Sequence, residues 1–228
     1  GTAMVYAGVG TFIGSLLSKP IDATVENFGT KVAGMSPIAP RQVVYGLARV
    51  GGTIVYMDTK GVANDKPNLH MIVALAGHEI QSIEKVFINN VEVTSTTSTI
   101  NSTTVYTVTN SDFTNTDNEN NFGSGRLIRF VQGLGADNQE MNGYTINKTD
   151  FTADHDLKGV AYVHLHMIYD QEKLSGVPSV AFEIKGKKVF DPRDDSTAWT
   201  TNPALIVRDM LTDTRYGLRA TTDEVNDN

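Results

Sequence analysis

LHMIVALA at 69–76 and GVAYVHLHMIY at 159–169 are the two stretches whose reading decides the fold. The first is a continuous apolar run of strand length, bounded by Pro67 and Gly77, as expected of a strand buried on both faces. The second alternates, with Val160, Tyr162, His164 and His166 on one face and Ala161, Val163, Leu165, Met167 and Tyr169 on the other. Working outward, QVVYGLARVGGTIVY (42–56) predicts two short strands joined by a hairpin turn at Gly51-Gly52. A polar loop is expected over 58–68, then a hairpin over 83–93 with Asn89-Asn90 at its turn, since asparagine tolerates left-handed backbone. RLIRFVQ (126–132) begins a further strand that Gly133-Leu134-Gly135 ends, and 137–151 reads as a surface loop. A last hairpin is expected around Lys185-Gly186, between strands 180–184 and 187–190.

One helix stands out. Asn202 suits an N-cap, and Pro203 suits the first helical position, where its missing N–H leaves no bond unmade. Ile206, Val207, Met210 and Leu211 then recur at helical spacing, and Tyr216-Gly217 stops the pattern. The chain is therefore expected to be mainly β (a β-rich α+β fold), with antiparallel sheets or barrels, one C-terminal helix and long polar loops. Between 94 and 121, 20 of 28 positions are Ser, Thr or Asn. With Val105, Tyr106, Val108 and Phe113 as its only anchors, that stretch is expected to bury little and to form an exposed excursion or β-arm.

With 228 residues, the chain suits one large domain or two small ones and can bury a core without covalent staples. It contains no cysteine, which excludes disulfide frameworks, thiolate metal sites and cysteine nucleophiles. Its 19 basic and 26 acidic residues give a net charge of −7, so no basic field draws it to nucleic acid or anionic lipid. The apolar segment from Ala3 to Leu17, AMVYAGVGTFIGSLL, is shorter than the roughly 20 residues a spanning helix needs. Its Gly8, Gly10 and Gly14 give small-residue spacing suited to packing on a neighbouring subunit, with membrane insertion the lesser alternative. The organisation expected is an apolar N-terminal segment and linker over 1–36, a β-rich region over 37–219, and a linker over 220–228 leading to a further C-terminal part. The central region has room for two subdomains, with 94–121 as a polar insertion.

Candidate chemistry is sparse. His164 and His166 project from one strand face, and Asp154, His155 and Asp156 lie near in sequence, a set that would suit zinc if further ligands converged. A solvated or hydrogen-bonded strand face is the preferred reading. Gly133-x-Gly135 lacks the third glycine of a dinucleotide fingerprint, and Gly123-Ser124-Gly125 precedes a strand rather than a helix, so neither cradles a phosphate. Asp191, Asp194 and Asp195 beside Arg193 read as a solvated Asp-Pro turn rather than as acid–base or calcium chemistry. His78 and Glu79 read as turn hydrogen bonding rather than as an acid–base pair. Asn101 and Asn147 match glycosylation acceptors, which carries no weight in a chain so rich in Asn and Thr. No catalytic, cofactor-binding or metal-binding residue is therefore assigned, no cofactor is expected, and the chain is not expected to be an enzyme.

A resemblance carries more. The ordered series PRQVVYG (40–46), GTIVY (52–56), LHMIVALAGHEIQSIEKVFINN (69–90), DHDLKGVAY (154–162), Val177-Pro178, GKKVFDPR (186–193), Trp199 and NPALIVRDMLT (202–212) resembles the N-terminal hub region of phage tail-tip proteins. These are the host-specificity or central-fibre proteins of lambda-like siphophages and prophages. The match runs from about 37 to 219, and its specificity lies in the order and spacing of its parts.

The resemblance implies a structural component of the virion tail tip, made in the bacterial host cytoplasm. Such a component forms a trimeric hub that closes the tail tube and passes DNA on host entry. Its implied partners are two further copies of itself, other tail-tip and tail-tube proteins, the tape-measure protein, DNA passing without specific binding, and the host envelope. An acidic lumen wall would repel the phosphate backbone and ease that passage. The alternative function is a β-sandwich module recognising a host surface glycan or protein through Tyr106, Phe113, Phe122 and Trp199. A hydrolase would need two facing carboxylates, and no pair stands out.

Overall fold

The computed structural model describes residues 33–34, 41–62, 65–221 and 224–225. The apolar segment 3–17 and the Pro37 and Pro40 pair lie outside the described residues. Among the described residues the chain is mainly β, in three open antiparallel sheets. The six-stranded sheet is ordered β2 (Thr53–Val62), β3 (Asp65–Ala76), β9 (Ala161–Ile168), β8 (Ile128–Leu134), β7 (Thr103–Val108) and β6 (Ser95–Ile100). The four-stranded sheet is ordered β1 (Leu47–Val50), β10 (Val180–Lys185), β4 (Ser82–Ile88) and β5 (Val91–Glu92). A ribbon of β11 (Lys188–Asp191) and β12 (Ser196–Trp199) completes the set, with helices α1 (Gly143–Lys148) and α2 (Pro203–Thr212).

The two deciding stretches become adjacent central strands. β9 is buried along all eight residues, and β3 is sealed on both faces from Leu69 to Val73. Leu69, Met71, Val73 and Leu75 of β3, with Val163, Leu165 and Met167 of β9, form one continuous core with Val86, Ile88, Val180, Phe182 and Ile184 of the other sheet. Each such side chain contributes roughly 1.5–3 kcal/mol on leaving water, so this contact is the main source of stability. The opposite face is covered by α1 and the loops around it. There Ile72, Tyr162 and Met141 form one cluster, and Val105, Val131 and Tyr144 another.

Several expectations are corrected. Gly51-Gly52 is not a hairpin turn: β1 pairs with β10 and β2 with β3, so the chain changes sheets there. Gly52 has φ +76°, and a Cβ on it would lie 2.6 Å from the Ala74 carbonyl oxygen, so only glycine fits this corner. Nor do the strands flanking Lys185-Gly186 pair. The Gly186 and Lys187 amides donate to Gly46 and Val44, which carries the chain on to the separate β11–β12 ribbon. The expected loop at 58–68 is largely strand, because β2 and β3 extend as one long hairpin. The Asn89-Asn90 turn is present, with both residues at positive φ between β4 and β5.

The stretch 94–121 is a β-arm, but it buries more than expected. Strand β6 is exposed, whereas Val105 and Val108 of β7 and Phe113 beyond it are sealed. Asn101 and Ser102, both at positive φ, make the turn, and β7 joins the main sheet through Tyr106–Phe130 and Thr107–Arg129. Asp170 pins the loop that follows: its carboxylate accepts from the amides of Asn115 and Asn118, both at 2.9 Å. Burial opposes its charge, yet these donors and the Glu172 and Lys173 amides hold its carboxyl below the usual range.

The surface loop expected at 137–151 contains α1, capped by the Asn142 side chain, which accepts from the Thr145 amide. The short apolar signal of that helix, Tyr144 and Ile146 amid polar residues, hides it in the sequence. β8 continues through Gly133, paired with Tyr162 of β9, whose ring comes within 2.1 Å of where a Cβ on that residue would sit. Helix α2 forms as expected, with the Asn202 carboxamide accepting from the Ala204 amide. Its apolar stripe, however, is not buried, and Val207 and Met210 are each about half exposed, at 53% and 51%.

Gly133→Ala forces a methyl into the Tyr162 ring and is expected to cost about 2–3 kcal/mol, read as a lower urea midpoint with an unchanged slope. An unchanged midpoint would refute the ring-over-glycine packing.

Candidate functional site

The second face of the main sheet carries a column of three histidines set by strand register. His70 of β3 stands opposite His166 of β9, and Ile72 opposite His164. On the other flank of β9, Arg129 faces His166 and Val131 faces His164. His70, His164 and His166 are 1%, 0% and 4% exposed, so the strand face is hydrogen-bonded but not solvated.

Each ring is held by specific partners. Asn68 donates its amide to the Lys60 carbonyl, which turns its carbonyl oxygen toward His166 Nε2 at 2.9 Å. That nitrogen therefore carries the proton, and His166 Nδ1 accepts from the Tyr144 hydroxyl at 2.7 Å. His164 Nδ1 meets the Thr145 hydroxyl at 2.9 Å, and its Nε2 meets His70 Nδ1 at 3.1 Å. Helix α1 supplies both hydroxyls, which is why this short element is required.

Burial, then neighbouring Lys148 and Lys60, pull His70 down to about 4. Burial, then His70, takes His164 to about 3, and burial holds His166 well below its ordinary value. All three are neutral at pH 7. Burial also pushes the Tyr144 phenol up to about 12. Asp154, His155 and Asp156 lie on a separate surface loop, where Thr152 donates its amide to His155 Nδ1 and Asp156 pairs with Lys158 at 2.6 Å. No group of three His, Asp or Glu side chains among the described residues is arranged to hold a metal.

A second constellation joins the sheets to α2. The Lys187 ammonium lies between Asp209, at 2.5 Å, and Asp213. The Tyr45 hydroxyl donates to the same Asp209 carboxylate. Burial works against the Lys187 charge, but the two carboxylates outweigh it and hold the ammonium above its ordinary range, while Asp213 falls to about 2. Nearby, Tyr216 donates to the Gly77 carbonyl, and the Val44 amide donates to His78 Nε2 at 2.9 Å. His78 Nδ1 therefore carries the proton and donates to the Glu79 carbonyl at 2.7 Å, while the Glu79 carboxylate pairs with Lys188. These two are turn and surface contacts, not an acid–base pair. Beside α2, Pro192, Leu205, Val207, Leu211 and Val225, rimmed by Arg193 and Arg208, line an open groove of about 560 Å³.

The other sequence candidates are dispersed. Arg193 grips Asp191 with two nitrogens, and Asp194 accepts from the Ser196 amide and hydroxyl, so this is a turn. Gly125 approaches the Asn115 backbone, and Gly135 ends β8 at positive φ. The four aromatic residues expected at a binding face are packed instead. Phe113 is sealed, Tyr106 stacks on Phe130 at 4.8 Å, Arg129 covers Phe122, and the Trp199 indole donates to the Gly46 carbonyl. Sequence reading did not single out His70, Tyr144, Thr145 or Lys187. His70 carried a signal, a lone histidine in an apolar strand. The others meet across long separations that no local pattern reveals.

Because the buried histidines titrate lower in the folded than in the unfolded chain, the unfolded chain binds more protons below about pH 6.5. Stability is therefore full above that pH and falls on acidification toward 4, at roughly 1.4 kcal/mol per pH unit for each of the three. Urea midpoints measured between pH 7 and 5 test this. His166→Gln is expected to make that slope shallower.

No protein-family model matches the sequence, and no curated protein matches it. A chain of the virion of a native gene transfer agent (GTA) particle is similar over 100% of this chain, with a TM-score of 0.45 and 15% identity. The chain spans about two fifths of that chain's length, which is covered to 40%.

Proposed function

We propose that the chain is a structural, non-enzymatic component of a phage-type virion, forming part of an oligomeric tail-tip hub that closes the tail tube and lets DNA pass. The observation that carries this reading is where the hub-like motifs meet. Tyr45 of PRQVVYG, Gly77-His78 of LHMIVALAGHEI, Gly186-Lys187 of GKKVFDPR and Asp209 of NPALIVRDMLT are far apart in sequence. They converge on one network, Tyr45–Asp209–Lys187, with His78 and Tyr216 beside it. Motifs that build a shared junction, rather than a cleft lined with reactive groups, fit an architectural role.

The surface beside that junction supports assembly. Val207 and Met210 of α2, and Leu218 beyond it, present apolar area at 53%, 51% and 78% exposure. The net charge of −7 fits a wall that does not hold passing DNA. The glycan- or protein-recognition alternative loses its main support, since its four aromatic candidates are packed rather than displayed.

Electron microscopy of intact tails tests the reading. Three copies around a channel at the tail end are expected, with an acidic lumen. A peripheral position, or a positive lumen potential, would overturn the hub or the wall argument respectively. Val207→Asp and Met210→Asp, both exposed, are expected to change stability by less than about 0.5 kcal/mol while blocking incorporation into tails. Full incorporation of both variants would remove α2 from the assembly surface.

A further inference from the structure

An open sheet leaves edges, and an edge strand is a template for another chain unless its own residues block pairing. The edges of the two larger sheets are blocked at β2, β1 and β5. β2 carries Asp58 and Lys60, is interrupted at two register shifts and is bridged by Gly34 at Thr53. β1 has four residues and carries Arg49, and β5 has two and carries Glu92. β6, at the far edge of the six-stranded sheet, has none of these devices. Its sequence STTSTI runs in unbroken register against β7 from Ser95 to Ile100, contains no charge or proline, and is exposed from Ser95 to Thr99.

The hairpin register decides which main-chain groups of β6 are spare. Opposed residues in an antiparallel pair alternate between exchanging both main-chain hydrogen bonds and exchanging none. The Thr109 amide donates to the Thr94 carbonyl at 2.9 Å, which makes 94 and 109 a bonded pair. By alternation, Thr96, Ser98 and Ile100 bond to β7, and Ser95, Thr97 and Thr99 turn their N–H and C=O groups away from it. The two-residue turn at Asn101-Ser102, both at positive φ, closes on the bonded pair Ile100 and Thr103, which gives the same assignment. Among the described residues β7 is the one strand that pairs with β6.

We infer that β6 pairs with β6 of a second copy of this chain, antiparallel about a two-fold axis at Thr97, joining two six-stranded sheets edge to edge. Residues with spare groups are the ones that can form bonded pairs across the edge. Thr97 opposite Thr97, with Ser95 opposite Thr99 in both directions, uses every spare N–H and C=O of the strand, so β6 is self-complementary. Threonine then lies against threonine at the axis and Thr96 against Ser98, and such hydroxyl pairs are favourable across strands. Charge favours a second copy at this edge. A chain of net charge −7 repels its own copies over most of its surface, but no charged residue occurs between Glu92 and Asp112, and Glu92 is paired with Lys85 at 3.2 Å. Arg126 touches the strand at Thr96, 3.4 Å away and off the axis. A two-fold pair through β6 is separate from the three-fold ring of the hub reading, so either can fail alone.

The chain has no cysteine, so single cysteines report the register directly. In a bonded pair the Cα atoms lie about 5.5 Å apart, within reach of a disulfide. Under a mild oxidant Thr97→Cys is expected to cross-link to its own copy, whereas Thr99→Cys, displaced from its copy by more than about 13 Å, is not. A six-residue edge is a small interface, so sedimentation equilibrium of the full chain is expected to show a weak dimer with a dissociation constant of about 0.1 mM. Thr97→Lys sets like charges opposite each other at an exposed position. It is expected to weaken the dimer about tenfold or more while leaving the urea midpoint of the monomer unchanged. A chain still monomeric at about 1 mM would overturn the second copy as occupant. Equal cross-linking at 97 and 99 would overturn the two-fold register. A dimer that survives Thr97→Lys and is lost in Met210→Asp would overturn the edge contact in favour of α2.

Discussion

The structure depends on sealing β9 on both faces. A strand with one face in water can carry any polar residue outward, but β9 has no outward face, and two of its eight residues are histidines. Each buried polar nitrogen left without a partner costs about 1–3 kcal/mol. The sequence around β9 answers that demand from two elements. Asn68 and His70 come from β3, and Tyr144 and Thr145 come from α1. The short helix exists to satisfy the sheet, and Asn142 anchors it twice, capping Thr145 and donating to the Tyr162 hydroxyl at 2.8 Å.

The same logic, with charge in place of neutral imidazole, fixes α2. That helix has no fully buried residue, so apolar contact cannot hold it as it holds the strands. Its position is set instead by Lys187 between two carboxylates and by the Tyr45 hydroxyl, all partly shielded from water. Such an attachment specifies geometry more than it adds stability, since desolvation offsets much of the attraction. An element positioned by polar contacts keeps its apolar side chains free. Val207 and Met210 are exposed for that reason, rather than through poor packing.

The periodicity of the sequence made the strand content and the antiparallel class legible, because alternation at 159–169 and the apolar run at 69–76 are local signals. Helix α2 was legible from Asn202-Pro203 for the same reason. Pairing was not. Gly51-Gly52 has the composition of a hairpin turn, but the carbonyl of Ala74 occupies the space that would decide between turn and corner. Gly186 reads as a turn until the Val44 backbone is seen against it. Thr and Ser filled 94–121, yet the alternation of Val105, Thr107 and the pair Tyr106, Val108 was enough to seal one strand. His164 and His166 were legible as a pair on one face. Their role was not, because His70 lies 94 residues away from His164 and becomes its neighbour only through register.

The two polar networks differ in charge. The Lys187 network is charged: its ammonium is matched by two carboxylates, beside an apolar groove and helix face that stay exposed. The histidine network carries no such charge: its three rings are neutral and bonded to Asn68, Tyr144, Thr145 and one another. The charged junction weakens when its carboxylates are protonated, whereas the imidazole network weakens when its rings are protonated. Rigidity at the α2 junction therefore rests on the Lys187 ammonium and its carboxylates staying charged. Rigidity at the second face of the main sheet rests instead on burial, which keeps the three imidazoles neutral.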